Sequence, residues 1–211
     1  MNAADVDAHI GRPRVVGDRE REVLDATLAV LAEVGYDRLT MDAVATKAKA
    51  SKATLYRRWN GKVSLVIDAL LAQKDAPYLP DTGSLRGDLV ESFCGVGGLT
   101  SPDAAATLGS VITALGRDAD FAAAFRRHVI GPKMAVTRAI FERAQERGEL
   151  RPGLDLDLLA PALAGIVLHR LYILGAVPDR ATIVAVIDQI ILPAALAAPQ
   201  TATTNQKDAH V

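Results

Sequence analysis

Apolar residues recur at helical spacing along most of the chain and alternate convincingly nowhere, so the pattern predicts helices and no strand. Leu24, Leu28 and Leu31 mark the buried face of a first helix over 18–34, with Gly35 as its stop. Thr40 suits an N-cap ahead of Met41, Val44, Ala45 and Ala48, which form a short second helix. Ser51 suits the cap of a third over 52–58, where Leu55 and Trp59, four apart, make a core-facing stripe. The Asn60-Gly61 pair interrupts the chain. Leu65, Val66, Ala69 and Leu70 then carry a fourth helix to 74, stopped before Pro77, and 78–83 reads as loop.

The second half is less sharply punctuated. A helix is expected over 84–96 until Gly95, Gly97 and Gly98 end it, and Ser101-Pro102-Asp103 opens another to about Leu115. Residues 118–130 and 132–147 predict two helices or one kinked helix, because Gly131-Pro132 falls mid-pattern. Gly148 ends that stretch. A helix from Asp155 or Asp157 should reach Leu174, with Pro161 tolerated near its start, and Pro178-Asp179 opens a last one ending near Ala198. The expectation is an all-α chain of about nine helices with no internal repeat. Residues 1–17 read as a flexible arm and 199–211 as a flexible polar tail.

Composition narrows the class. Half of the 211 residues are hydrophobic, enough for a sizeable core, and aromatics make up only 4%, which favours helices over an aromatic-rich sandwich. A single cysteine, Cys94, allows neither an intrachain disulfide nor a multi-cysteine zinc site. The first twenty residues carry Asp5, Asp7 and Asp18 without an apolar run, so no signal peptide is expected. The most apolar stretch, 181–199, is broken by Asp188 and Gln189 and falls short of the about 18 apolar residues a membrane span needs. A cytoplasmic protein with no membrane partner is the expectation.

The net charge of −1 is uninformative, but its distribution is not. Between Arg38 and Lys62 lie seven basic residues (Arg38, Lys47, Lys49, Lys52, Arg57, Arg58, Lys62) against one acid, Asp42, a window of +6. Such a window suits a polyanion, and by charge alone it suits a solvated basic face equally well. Three short helices with cations and hydroxyls concentrated on the second and third have the layout of a helix-turn-helix. In that arrangement Lys52, Ala53, Thr54, Arg57 and Arg58 face outward while Leu55 and Trp59 pack. Tyr56, Thr40 and Lys62 are placed to reach phosphates. Arg12 and Arg14 could enter a minor groove, or simply belong to a free arm.

The run Thr40-Met41-Asp42-Ala43-Val44-Ala45, then Ala48, then Ser51 to Trp59 and Lys62, resembles the DNA-binding domain of TetR-family transcriptional regulators. Val23-Leu24-Asp25-Ala26 and Gly35-Tyr36 fit the first helix of the same pattern. The resemblance covers residues 19–70 and implies an N-terminal three-helix reader plus a C-terminal helical ligand-binding and dimerisation domain. It places the reader at 18–62, a linking helix at 62–76 and the second domain at 77–198. It also implies a homodimer on double-stranded DNA, with Thr40, Tyr56 and Lys62 on phosphate and Lys52, Ala53 and Thr54 facing bases; Lys49, Ser51, Arg57 and Arg58 complete the expected interface. Two positions depart from the pattern. Lys49 stands in the turn where glycine is usual, and a left-handed residue there would cost roughly 1 kcal/mol. Asp42 puts an acid where an outward basic or polar residue is common; phosphate would repel it unless it accepts from a cytosine amino group.

From residue 84 onward the helices are apolar on more than one face, which calls for a second covering. Leu163, Ile166 and Ile173, with Ile183, Ile187 and Ile191, are the expected dimer interface, two helices from each subunit. Residues 139–155 are also similar to C-terminal domains of part of the TetR family. An apolar small-molecule effector would sit among Phe93, Phe121, Phe125, His128, Phe141, His169 and Tyr172. The two histidines read more readily as ordinary core or surface residues than as effector contacts, and Cys94 as a small buried residue. No histidine pairing suggests a metal, and no cofactor is expected. Phosphate-loop, nucleophile-elbow and H-E-x-x-H motifs are absent, and Glu142, Glu146 and Glu149 alternate with Arg143 and Arg147 as surface pairs would; no catalytic residue is nominated. The expected function is a ligand-released repressor on a palindromic operator. The rivals are a helical protein-interaction module, and a helical small-molecule binder or enzyme without DNA binding.

Overall fold

The computed structural model describes residues 17–72, 78–95 and 109–196. Among them every regular element is helical; the sole pairing of extended backbone is an isolated antiparallel bridge between Leu150 and Leu196. The N-terminal half contains α1 (Asp18–Arg38), α2 (Met41–Lys47), α3 (Lys52–Arg58) and α4 (Lys62–Ala72). The C-terminal half contains α5 (Leu85–Cys94), α6 (Ala119–Phe125), α7 (Gly131–Glu146), α8 (Leu156–Leu159), α9 (Ala162–Tyr172), α10 (Arg180–Val186) and α11 (Leu192–Ala195). The expected arm, the tail, the end of the linking helix and most of the helix opening at Ser101 fall outside the described residues.

Local chemistry sets most of these boundaries. Thr40, Ser51, Ser84, Asp118, Asp155 and Asp179 each accept from a backbone N–H of the first turn that follows, satisfying donors that otherwise have no partner. Gly35 adopts φ 74°, ψ 169° and kinks the last turn of α1, so the helix passes its expected stop by one turn. Two prolines explain the irregular stretches. Pro132 and Pro193 lack the N–H a helix interior needs, and each follows a widened π-type segment, Arg126–Ile130 and Ile187–Ile191. The extra residue per turn absorbs the ring, so α6 runs into α7, and α10 into α11, without a break. Pro161 is different. The helix expected from about Asp155 to Leu174 stops after Leu159 and restarts at Ala162, with Pro161 in the turn.

Two hydrophobic cores form. The first joins α1–α4, through residues such as Leu24, Leu31, Val44, Leu55, Trp59 and Val66, to Val111, Ala114, Phe121, Phe125 and Val129. The second joins Leu85, Leu89 and Phe93 of α5 to Phe141, Leu163, Val167, Ile183, Ile187 and Ile191. The continuous α6–α7 rod thus has its front half in one core and its back half in the other.

Candidate nucleic-acid interface

The turn between α2 and α3 is a Schellman closure, with Ala50 N–H donating to Ala45 O at 2.9 Å and Lys49 N–H to Thr46 O at 3.2 Å. That closure requires a left-handed residue, and Lys49 occupies it at φ 50°, the lone non-glycine with positive φ among the described residues. Arg19 of α1 donates to the carbonyls of Ala48 and Lys49 at 2.9 and 2.7 Å, tying the strained turn to the first helix. Leu55 and Trp59 anchor α3 inward, both buried, and the Trp59 indole donates to Asp68 of α4 at 2.9 Å. With that face fixed, Ser51, Lys52, Ala53, Tyr56 and Arg57 are exposed, Tyr56 to 57%, and Thr54 is half-buried with its hydroxyl 2.8 Å from that of Ser51. Thr40 is exposed at the start of α2; its oxygen accepts from Ala43 N–H at 3.1 Å, which leaves its own proton to donate outward.

The fold also redistributes the charge. Glu33 and Glu20 of α1 reach the cationic window, pairing with Lys47 and Arg58, the latter at 2.5 Å. Asp42 pairs with Lys52, also at 2.5 Å. Lys62 lies 4.3 Å from the centroid of the Tyr36 ring. Arg38, Lys49 and Arg57 are the exposed cations of the window with no carboxylate partner among the described residues. Arg58, expected to face outward, is half-buried between Glu20 and the Trp59 ring. The +6 window missed these neutralisations because both glutamates lie on a helix outside it.

Tyr36 joins this surface to the other half of the molecule. Its ring is buried 4.1 Å from Phe121, and its hydroxyl donates to Asp118 at 2.8 Å, the residue that caps α6 through Phe121 N–H. Burial first, then the bond to Asp118 and the neighbouring carboxylates, pushes the phenol well above its ordinary range, so it stays a neutral donor. Arg117 pairs with Asp37 at 2.7 Å beside it.

The expected effector residues do not converge. Phe121 and Phe125 belong to the reader's core, Phe93 and Phe141 to the second core, and His169 is exposed. Aromatic content alone could not show which core would take them. His128 and Tyr172 are half-buried, Tyr172 close to Gly109. A surface groove of about 230 Å³ lies elsewhere, lined by Met134, Ala135, Arg138, Leu156, Asp157 and Ala160. Burial pushes the Cys94 thiol up, away from the reactive thiolate. The expected interface also divides. Leu163, Ile183, Ile187 and Ile191 fill the protomer's own core and have no surface to offer a twin, whereas Ile166 is half-buried and Ile173 is 71% exposed. Helical period placed these residues on apolar faces without telling which face the chain itself covers.

Sequence reasoning also missed a buried ionic cluster. Asp88, fully buried, accepts from Thr82 N–H and hydroxyl at 2.7 and 2.8 Å and from Arg143 at 2.8 Å, and Arg147 stands 3.4 Å away. Burial favours the protonated acid, but the Thr82 and Arg143 bonds override it and hold the carboxyl below its ordinary value. Among the described residues no helix is long and apolar enough to cross a membrane, and no three His, Cys, Asp or Glu side chains are grouped so as to hold a metal ion.

Comparison with known proteins agrees with this geometry. Residues 23–69 match the model of bacterial regulatory proteins of the tetR family, and residues 79–190 match a tetracyclin repressor-like C-terminal domain. An uncharacterized HTH-type transcriptional regulator of Mycobacterium tuberculosis, Rv1556, is 36% identical over 179 residues, covering 83% of this chain and 87% of that protein. A DNA-binding transcriptional repressor TetR of Mycobacteroides abscessus is 37% identical over 181 residues, covering 82% and 92%. The crystal structure of the TetR family transcription regulator SCO0332 superposes with a TM-score of 0.64 at 31% identity, covering 87% of this chain and all of that one.

Proposed function

The chain belongs to the TetR family of DNA-binding transcriptional regulators, and on that premise we propose that it is a cytoplasmic repressor, released from a palindromic operator by a lipophilic small molecule. The observation that carries the reading is α3, anchored by Leu55 and Trp59 and presenting Ser51, Lys52, Ala53, Tyr56 and Arg57 outward. A helix so held enters a major groove with its N-terminal residues against base edges. Lys52, Ala53 and Thr54 then face bases, and Thr40, Ser51, Tyr56, Lys49, Arg57 and Lys62 contact phosphate. Arg58 keeps its pair with Glu20 and contributes charge at a distance.

Dimerisation is supported by the apolar surface at the end of α9, where Ile173, Leu174 and Val177 are exposed beside half-buried Ile166. Two-fold pairing there would give two α3 helices for two successive major grooves, about 34–36 Å apart. The effector acts by population shift, favouring a dimer whose α3 helices miss that spacing. The contact of Tyr36 with Asp118 and Phe121 is the physical link along which a tilt of α6 reaches the reader.

The test is binding to duplexes recovered from a randomised pool, measured against salt. Log affinity should fall linearly with log salt, with a slope near −0.9 per phosphate contacted. Absence of binding, or affinity indifferent to salt, refutes the reading and favours a protein-interaction module.

A further inference from the structure

The Asp42–Lys52 pair does no packing work. Asp42 is the second residue of α2 and Lys52 the first of α3, their side chains are 57% and 63% exposed, and the two helices are held together by Met41, Val44, Ala45 and Leu55 on other faces. An ion pair this exposed contributes little to folding. Yet it stands at the front of α3, beside exposed Ser51 and Ala53, where an acid repels phosphate and cancels a cation that general DNA affinity would use.

We propose that Asp42 and Lys52 act together as a specificity-determining pair that reads one G·C base pair in each copy of the operator half-site. This inference rests on the DNA-reading proposal above. With one carboxylate oxygen and one ammonium proton spent on each other, the pair still offers an acceptor from Asp42 and donors from Lys52, side by side. The major-groove edge of a G·C pair is the complement: guanine N7 and O6 are adjacent acceptors, which a lysine can bridge, and the cytosine amino group next to them is a donor for a carboxylate. At an A·T pair the same groups meet a single acceptor on either side of the adenine amino group, and the thymine methyl presses on charged atoms. Because Asp42 neutralises Lys52, the pair adds little affinity wherever no edge complements both groups at once. The pair thereby lowers affinity for random sequence and restores it at the matched base pair.

The test is selection from randomised duplex DNA with the native chain, Asp42→Asn and Lys52→Gln, followed by affinity for the enriched site and for random duplex. The native chain should enrich a G·C pair at one position per half-site, preferred about tenfold over A·T. Both variants should lose that preference and keep the others. Asp42→Asn should bind random duplex more tightly, with a salt slope steeper by about one. An unchanged consensus with uniformly tighter binding overturns the proposal and makes Asp42 a plain electrostatic brake. Uniformly weaker binding overturns it too and makes Asp42 only a support for Lys52. Failure of the native chain to enrich any sequence sinks the DNA-reading proposal itself, an outcome distinct from both. Thermal melts identical to native would show that both variants fold.

Discussion

The two halves of the molecule differ in how deeply they bury charge. Around α3 the ion pairs are exposed or half-buried and join one helix to the next across a surface, as Asp42–Lys52 and Glu20–Arg58 do. Water competes for such groups, so their partners can be exchanged when another polyanion docks. In the second half, Asp88 is sealed between α5 and α7 with Arg143 across from it. There the carboxylate is shut off from water, and its bonds with Thr82, Arg143 and Arg147 fix the 78–84 loop onto the core.

That contrast can be broken by experiment. The largest effect belongs to Ile187→Asp, which buries an unpaired carboxylate in the second core and should cost about 4 kcal/mol or more. Denaturant melts should show loss of the folded state, whereas Ile173→Asp on the exposed face should keep the fold and yield monomers by sedimentation. A dimer that survives Ile173→Asp would move the interface off α9.

Arg143→Met comes next, leaving Asp88 without its closest cation at an expected cost of about 3 kcal/mol. Its pH dependence has a definite sign. A carboxyl whose folded value is depressed stabilises the fold fully above its unfolded value near 4, and that contribution disappears as pH falls through the lower folded value. Native protein should therefore lose stability on acidification below about pH 4, and Arg143→Met should show a shallower loss over the same interval. Equal slopes in urea titrations across that interval would remove Asp88 from the account.

The smallest effect is at Lys49. Lys49→Gly relieves the left-handed strain and should raise stability by about 0.5–1 kcal/mol, seen as a melting point a few degrees higher. The same change should flatten the salt slope of DNA binding by about one, because an exposed cation is lost. A variant that is more stable yet unchanged in salt slope would confine Lys49 to the turn.

How legible these features were follows their range along the chain. The caps at Thr40 and Ser51, the stripe of Leu55 and Trp59, and the oddity of Lys49 in the turn are visible in sequence, since each involves residues within about one helical turn. Pro132 announced an irregularity, but whether it would bend, break or widen the helix depended on what α6 and α7 packed against. Phe121 and Phe125 carried no mark of which core would take them, and Ile187 looked as eligible for a partner as Ile173 did.

By itself the chain determined an all-helical architecture and the outward cationic face of α3, because periodicity, capping and turn chemistry act over a few consecutive residues. Only the tertiary structure decided which of those cations are already neutralised and how the halves are joined. Glu20 meets Arg58 across 38 positions and Tyr36 meets Asp118 across 82, and contacts of that span exist only once distant helices have packed.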